Sequence, residues 1–430
     1  MTSAISRGMG ILAAMGMMLG GLVVPGVAAL PPPAADAEPV VPVVAVTPVR
    51  ALPLVVSKSG RYVVQVVGGR LELRDLRKDK RLKRFPAGAQ ASSVSISDNG
   101  RYVTYTVPGK GMTWDRTRRD IRVYDRKTGR TRSAATTRSG KSLKPKWRTT
   151  CVGDLNDPNA TSATVCDEGI PLTAAPQLDG GQISGNGRYI AFCANYIRPD
   201  RVDLYIKNWR TKSLKRINGA CSYSHDEDVG WDWILAPMVS ENGSVILLPG
   251  AWRYGEDGDG CWEPSRALVK RREWTQVGGR APTMTHDGQL VSTVGLPTAC
   301  DDYSAAAHIV WWFDLGTRTG RPADEPGLRV TMRNASRHGR YVTWFEYSDQ
   351  PMDPVTGRYP GERWLIWDRT TGQRFDLGAA LLAAGNEARL GGVWYGHGPS
   401  VDYPLMTGDG RTVFLDTDRG AVAVRWSPSA

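Results

Sequence analysis

A short turn that recurs along the whole chain restricts its possible folds more than any other feature. Its clearest copy is Ser97-Asp98-Asn99-Gly100-Arg101-Tyr102-Val103: Ser or Thr, two variable residues, Gly, then an alternating apolar run. Copies begin at Ser57, Ser97, Ser184, Ser240, Thr285, Ser336 and Thr407, with glycines at Gly60, Gly100, Gly187, Gly243, Gly288, Gly339 and Gly410. A type I turn favours Ser, Asp or Asn first, where the side chain bonds back to the local backbone, and Gly fourth. Between antiparallel strands that glycine adopts a left-handed conformation that β-branched residues resist. Each copy therefore reads as a tight hairpin. The segments that follow, such as Tyr102-Val103-Thr104-Tyr105 and Tyr189-Ile190-Ala191-Phe192, have the aromatic and β-branched content of strands.

Every hairpin has a partner downstream: Leu71 to Asp75, Ile121 to Asp125, Leu204 to Asn208, Ala267 to Lys270, Ile309 to Asp314, Leu365 to Asp368 and Val422 to Arg425. Several partners run into a Thr-Gly turn (Thr128-Gly129, Thr319-Gly320, Thr371-Gly372) and a short fourth strand. Repeated units of four antiparallel strands, each about 40 residues or more, predict an all-β fold: a seven-bladed β-propeller, whose radial closure protects strand edges. The seventh unit reaches Trp426 without a fourth strand. Val40 to Val46 is expected to supply it and close the ring, with Pro42 tolerated because proline is confined to edge strands.

Residues 1–37 read as a secretory signal: Arg7, an apolar Gly/Met-rich run from Met9 to Val24, and Ala35-Asp36-Ala37 as a cleavage site, with Val27-Ala28-Ala29 as a second option. An uncleaved anchor is the other reading, the run being near the lower limit for spanning a bilayer. The expected organisation is residues 38–50 as linker and ring-closing strand, then a propeller over residues 51–430 with an insertion at 138–180. The protein is expected to be secreted or held in the cell envelope. Six cysteines, none in the C-x-x-C pairs of a structural zinc site, suit an oxidising compartment.

Long excursions interrupt the repeats at Arg138 to Gly180, Gly250 to Ser265, Leu296 to Ala306, Tyr347 to Glu362 and Leu377 to Asp402. In propeller geometry the loops between second and third strands emerge on the same face as those joining successive blades. Every excursion and every cysteine falls in these two classes. Three disulfides are therefore expected on one face: Cys151–Cys166, Cys193–Cys221 and Cys261–Cys300.

The pattern S-x-(D/N)-G-R-Y-(V/I) followed by (I/L)-x-(V/I)-(Y/W)-D-x-x-T-G resembles the TolB-type family of WD-like repeats, also found in the propellers of prolyl oligopeptidases. Residues 97–103 with 121–129 match best, then 184–190 and 336–342 with 364–372. The resemblance implies a stand-alone propeller. There is no room before Ser57 for the amino-terminal domain of TolB, and there is no G-x-S-x-G elbow of a hydrolase. It implies no particular activity, since this fold hosts many.

Chemistry-bearing residues are sparse. His286 and His338 sit inside repeat turns and read as turn residues. His225, His308 and His397 lie in or beside the elaborated loops. Some relatives that are pectin-fragment lyases bind a metal through channel histidines, but these three lack a short ligand spacing. No metal, cofactor or catalytic residue is therefore expected. Asp257-Gly258-Asp259-Gly260 starts like a calcium loop and fails further on, with Cys261 and Leu268 at ligand positions. Aromatics give the stronger cue. Trp231, Asp232 and Trp233 with His225 precede the innermost strand of blade 4, and Trp394, Tyr395, His397, Asp402 and Tyr403 precede that of blade 7. Both clusters are expected near the channel mouth, as a carbohydrate or peptide surface or as blade-to-blade packing.

Charge is uneven. Ser57 to Arg148 holds 25 Lys or Arg against 7 Asp or Glu, well beyond the overall balance of 55 to 43. Arg77 to Arg84 and Arg116 to Arg119 predict a basic flank over blades 1 and 2, suited to an anionic wall polymer or lipid headgroups rather than nucleic acid, or simply solvated. The expected function is a monomeric, non-catalytic binding or scaffold propeller that meets a protein or cell-envelope polysaccharide through its disulfide-stapled face. The alternative is a channel-centred polysaccharide lyase or glycoside hydrolase, marked by two facing carboxylates about 5–10 Å apart.

Overall fold

The computed structural model describes residues 39–428 apart from 90–93, 109–118, 144–177, 199–200, 222, 227–230, 235–236, 251, 255–259, 263–264, 279, 295–309, 323–327, 337–338, 349–352, 355–359 and 388–404. Seven four-stranded antiparallel sheets form the blades of a ring. Blade 1 is Pro53–Val56, Tyr62–Val67, Arg70–Asp75 and Lys80–Arg84 in sheet order. Blade 2 is Ser95–Ile96, Tyr102–Pro108, Arg119–Asp125 and Arg130–Ser133. Blade 3 is Leu178–Ile183, Tyr189–Arg198, Arg201–Asn208 and Leu214–Cys221. Blade 4 is Met238–Val239, Val245–Leu248, Ser265–Val269 and Glu273–Gly278. Blade 5 is Arg280–Met284, Leu290–Val294, Val310–Asp314 and Thr319–Pro322. Blade 6 is Leu328–Ala335, Tyr341–Ser348, Arg363–Asp368 and Arg374–Asp376.

Blade 7 takes three strands from the end of the chain, Leu405–Met406, Thr412–Thr417 and Gly420–Ser427, and its outer strand, Val43–Pro48, from the beginning. The register runs from Val43 opposite Ser427 to Pro48 opposite Val422. The strand starts three residues later than the valine run suggests, because Val40 is engaged elsewhere. Its N–H donates to the Arg374 carbonyl at 2.9 Å and its carbonyl accepts from Asp376 N–H at 2.8 Å. The amino-terminal segment thus ties blade 6 to blade 7.

The core lies in layers between neighbouring blades. Val64, Leu73, Val103 and Tyr105 pack blade 1 on blade 2. Ile121, Val123, Ile190 and Phe192 do the same for blades 2 and 3. Between blades 6 and 7, Trp426 is fully buried, its ring 5.2 Å from Tyr341 and 5.1 Å from Phe375, with Val40, Val44 and Val46 packed against the same cluster.

These layers explain the repeat residue by residue. The leading Ser or Thr is buried in all seven turns. In each its hydroxyl accepts the N–H five residues on, as Tyr62 N–H to Ser57 Oγ at 2.9 Å and Thr412 N–H to Thr407 Oγ1 at 3.1 Å. The glycine has φ between 64° and 76° in every copy. At Gly100, Gly187, Gly243 and Gly410 the tyrosine of the preceding blade lies where a Cβ would stand. The following arginine grips the aspartate that ends the third strand: Arg61 to Asp75 at 2.7 Å, Arg101 to Asp125 at 2.9 Å and Arg340 to Asp368 at 2.8 Å.

Hydrogen bonds from Arg61 and Arg101 hold the Asp75 and Asp125 carboxyls below the ordinary carboxylate range. A depressed folded-state pKa stabilises fully above the unfolded value of about 3.9 and is lost as pH falls through the folded value. Thermal stability should therefore decline as pH drops below about 4, and Arg101→Gln, which removes the depression at Asp125, should melt lower at neutral pH and lose less on acidification, read as melting temperature against pH. Identical profiles would remove the pair from the acid response.

Four details depart from the sequence reading. In blade 5 the outer turn closes on Arg318, at φ 59°, and Thr319-Gly320 belongs to the strand, because Asp314 Oδ1 accepts from Gly316 and Thr317 N–H and tightens the turn earlier. Within the excursion that starts at Leu377 lies a helix, Leu377–Ala383, capped by Asp376, whose carboxylate accepts from Ala379 N–H at 2.7 Å; Leu377, Ala380 and Leu381 are buried. The inner strand of blade 3 begins at Leu178, inside the stretch read as insertion. The Cys193–Cys221 disulfide joins the second and fourth strands of blade 3 rather than flanking loops. It spans the third strand where the outer register slips between Val202 and Leu204.

Candidate functional site

Each repeat turn divides its labour. The first residue bonds the backbone, the third (Asn99, Asn186, Asn242, Asp287 or Asp409) accepts from the leading hydroxyl, and the glycine receives the neighbouring blade. The second residue is left over: Lys58, Asp98, Gly185, Glu241, His286 and Gly408 occupy it in the described turns. Its main chain joins the blades. Gly408 N–H donates to Lys58 O at 2.9 Å, Lys58 N–H to Asp98 O at 3.0 Å, Asp98 N–H to Gly185 O at 2.8 Å, Asn186 N–H to Glu241 O at 2.9 Å and Glu241 N–H to His286 O at 2.6 Å. The turns of blades 7, 1, 2, 3, 4 and 5 are thereby laced into an arc around one end of the channel.

Side chains on this arc converge. One atom each from Asp98, Glu241 and His286 lies within 4.8 Å of the others. These residues come from blades 2, 4 and 5, which share no sheet. Residues from non-adjacent blades meet only where the blades converge, so the cluster sits on the channel axis. His286 Nε2 is 3.3 Å from Asp98 Oδ1. Burial pushes the Asp98 carboxyl up to about 6, since little water is left to solvate its charge.

A glycine makes room for this carboxylate. A Cβ on Gly185 would lie 2.6 Å from Asp98 Oδ2 and 2.7 Å from its Cγ. Gly185 has no left-handed φ, and the same turn position carries side chains at Lys58, Asp98, Glu241 and His286, so the backbone does not demand glycine there. Gly408 stands in the same relation to Lys58.

From the sequence His286 reads as a turn residue, which it is; the signal for the cluster lies in the second position of the repeat taken together around the ring. Among the sequence-predicted residues, Trp231, Asp232 and Trp233 fall on an extra hairpin between blades 3 and 4, Tyr223–Asp226 paired with Trp231–Ile234, where His225 stands opposite Asp232. A second hairpin, Trp252–Tyr254 with Gly260–Trp262, extends the connection between the second and third strands of blade 4 and adjoins the first. Cys261 falls on the second strand of this hairpin. Trp394, Tyr395, His397, Asp402 and Tyr403 lie outside the described residues, as do Cys151, Cys166, Cys300, His308, His338 and most of Asp257 to Gly260.

Comparison with known proteins gives fold-level likeness only. No family model matches the chain, and no curated protein matches it. Among solved structures it is similar to hydrazine synthase of Kuenenia stuttgartiensis, at 10% identity and TM-score 0.41 over 88% of this chain and 96% of that one. It is similar to TolB from Acinetobacter baumannii, at 12% identity and TM-score 0.37 over 86% and 81%. It is similar too to the β-propeller domain of the Trilobed protease from Pyrococcus furiosus, at 9% identity and TM-score 0.45 over 86% and 91%. The TolB-type repeat motif is thus accompanied by a distant structural likeness and by no sequence family.

Proposed function

We propose that the chain is a secreted, non-catalytic propeller that binds a protein or cell-envelope polysaccharide through the face bearing its long loops. The observation that supports this is the one-sided construction of blade 4. Tight turns occupy the end of the channel where Asp98 sits, whereas both added hairpins arise from connections that emerge at the opposite end. Aromatic residues on such loops give large contact area at low entropic cost. The Cys193–Cys221 bond anchors the base of the first hairpin, since Cys221 ends the strand that leads into it. Described basic side chains on the outer strands of blades 1 and 2, Lys80, Arg81, Arg84, Arg130 and Arg132, are exposed and suit an anionic wall polymer as a second contact.

The test uses isolated cell walls and a glycan array as probes. Trp231→Ala with Trp233→Ala should abolish retention on the array or wall while leaving the melting temperature unchanged; a variant that unfolds would instead make these rings packing residues. Arg130→Glu with Arg132→Glu should lose wall binding at about 50 mM salt, and wild-type binding should fall steeply by about 500 mM. Undiminished binding at high salt would overturn the electrostatic contact.

A channel-centred glycosidase fits the described carboxylates poorly. A retaining pair stands about 5–5.5 Å apart with a sugar between the two groups. Here an oxygen of Asp98 and one of Glu241 are within 4.8 Å of each other, and His286 Nε2 stands 3.3 Å from Asp98 Oδ1. That space suits an ion better than a saccharide ring.

A further inference from the structure

We propose that the turn end of the channel binds one divalent transition-metal cation, of the zinc class, between Asp98, Glu241 and His286. This goes beyond the binding role of the loop face and lies at the other end of the molecule, so either reading can fail without the other.

Three observations carry it. The first is the donor set. One imidazole and two carboxylates, each offering an atom within 4.8 Å of the rest, is a mixed nitrogen and oxygen set. Calcium and magnesium favour oxygen donors alone, whereas imidazole suits zinc and its neighbours. The second is spacing. Ligands about 2.0–2.1 Å from a tetrahedral zinc stand about 3.3 Å from one another, and His286 Nε2 is 3.3 Å from Asp98 Oδ1. The third is construction. The three residues come from separate blades whose turns are fixed by the backbone arc, so the donors are positioned before any ion arrives. Gly185, which the turn itself does not require, leaves the space that the Asp98 carboxylate occupies. Two carboxylates brought together at the axis repel one another, and a dication between them removes that cost.

The ligand atoms are Asp98 Oδ1, a Glu241 carboxylate oxygen and His286 Nε2, with water completing the shell. Lys58, the remaining charged side chain on the described arc, packs against Gly408 and is not one of the three donors.

The experiment takes the full mature chain, strips it with chelator, and titrates Zn2+, Co2+, Ca2+ and Mg2+ by calorimetry, with Co2+ visible absorption reporting nitrogen ligation. One equivalent of Zn2+ or Co2+ should bind. His286→Gln and Asp98→Asn should each weaken it about a hundredfold, while His225→Gln leaves it unchanged. Gly185→Ala alters no ligand and no backbone preference, yet should weaken the site at least tenfold by displacing Asp98, which keeps the test decisive if a ligand variant fails to fold. No saturable zinc binding up to about 1 mM would overturn the proposal. Binding that survives in both His286→Gln and Gly185→Ala would do the same, as would calcium or magnesium binding indifferent to His286.

Discussion

Deleting residues 38–50 will open the ring. The segment supplies the outer strand of blade 7, six paired residues from Val43 to Pro48, and half-buries Val44 and Val46 against the Trp426 cluster. With Val40 these valines contribute roughly 2–4 kcal/mol of burial, counted at about half the value of a fully buried side chain. For a ring that melts as one unit this is about 2–5 °C in melting temperature. A second effect follows from topology. Gly420–Ser427 would become an exposed edge with unpaired N–H and C=O groups, a template for pairing with another chain. The truncated protein should therefore cleave first in residues 405–428 under limited proteolysis and form dimers or larger species in light scattering. Unchanged melting, protease resistance and mass would show that closure by this strand contributes nothing.

Gly100→Ala will destabilise by about 2–5 kcal/mol, and the larger share of the cause will be the neighbouring blade. Two costs add. Gly100 has φ 64°, which costs alanine about 1–2 kcal/mol. A Cβ there also lies 2.6 Å from Tyr62 Cγ and 2.7 Å from Tyr62 Cβ, inside the packing layer between blades 1 and 2. Overpacking of that kind costs about 1–3 kcal/mol. Gly129 separates the two terms, because its φ is 69° but nothing lies within 4 Å of its would-be Cβ. Gly129→Ala should cost only about 1 kcal/mol in chemical denaturation. In a Tyr62→Ala background the excess at Gly100 should shrink, since the two residues share one contact. Equal costs at Gly100 and Gly129 would make the glycine a matter of turn conformation alone.

The fold could be read from the chain because each marker residue serves a contact that recurs in every blade. Ser57 and Ser97 satisfy buried backbone, Gly100 and Gly187 admit a neighbour's tyrosine, and Arg61 and Arg101 reach a fixed aspartate. A requirement repeated around a ring leaves a periodic trace, and even the borrowed outer strand follows from a missing fourth member. The Leu377–Ala383 helix left no such trace. It occurs once, spans two turns, and owes its burial to packing against blade 6 and the amino-terminal strand. The axial cluster failed to show for the opposite reason. Asp98, Glu241 and His286 are far apart in sequence and occupy the variable slot of a conserved spacing, so no short motif announces them. Aligning the repeats and reading down that slot would have found them.

The arc of backbone bonds around the channel uses carbonyl and amide atoms, which every residue but proline brings. The arc itself therefore asks nothing of the side chain at the second turn position, and Lys, Asp, Glu, His and Gly all serve there, glycine where a neighbour's side chain takes the space. Structural duty and chemical identity are uncoupled at the spot where several sectors of the ring face a common axis. Such a scaffold can exchange its inner lining one residue at a time, acquiring or losing charge, imidazole or empty space, without renegotiating how the blades hold together.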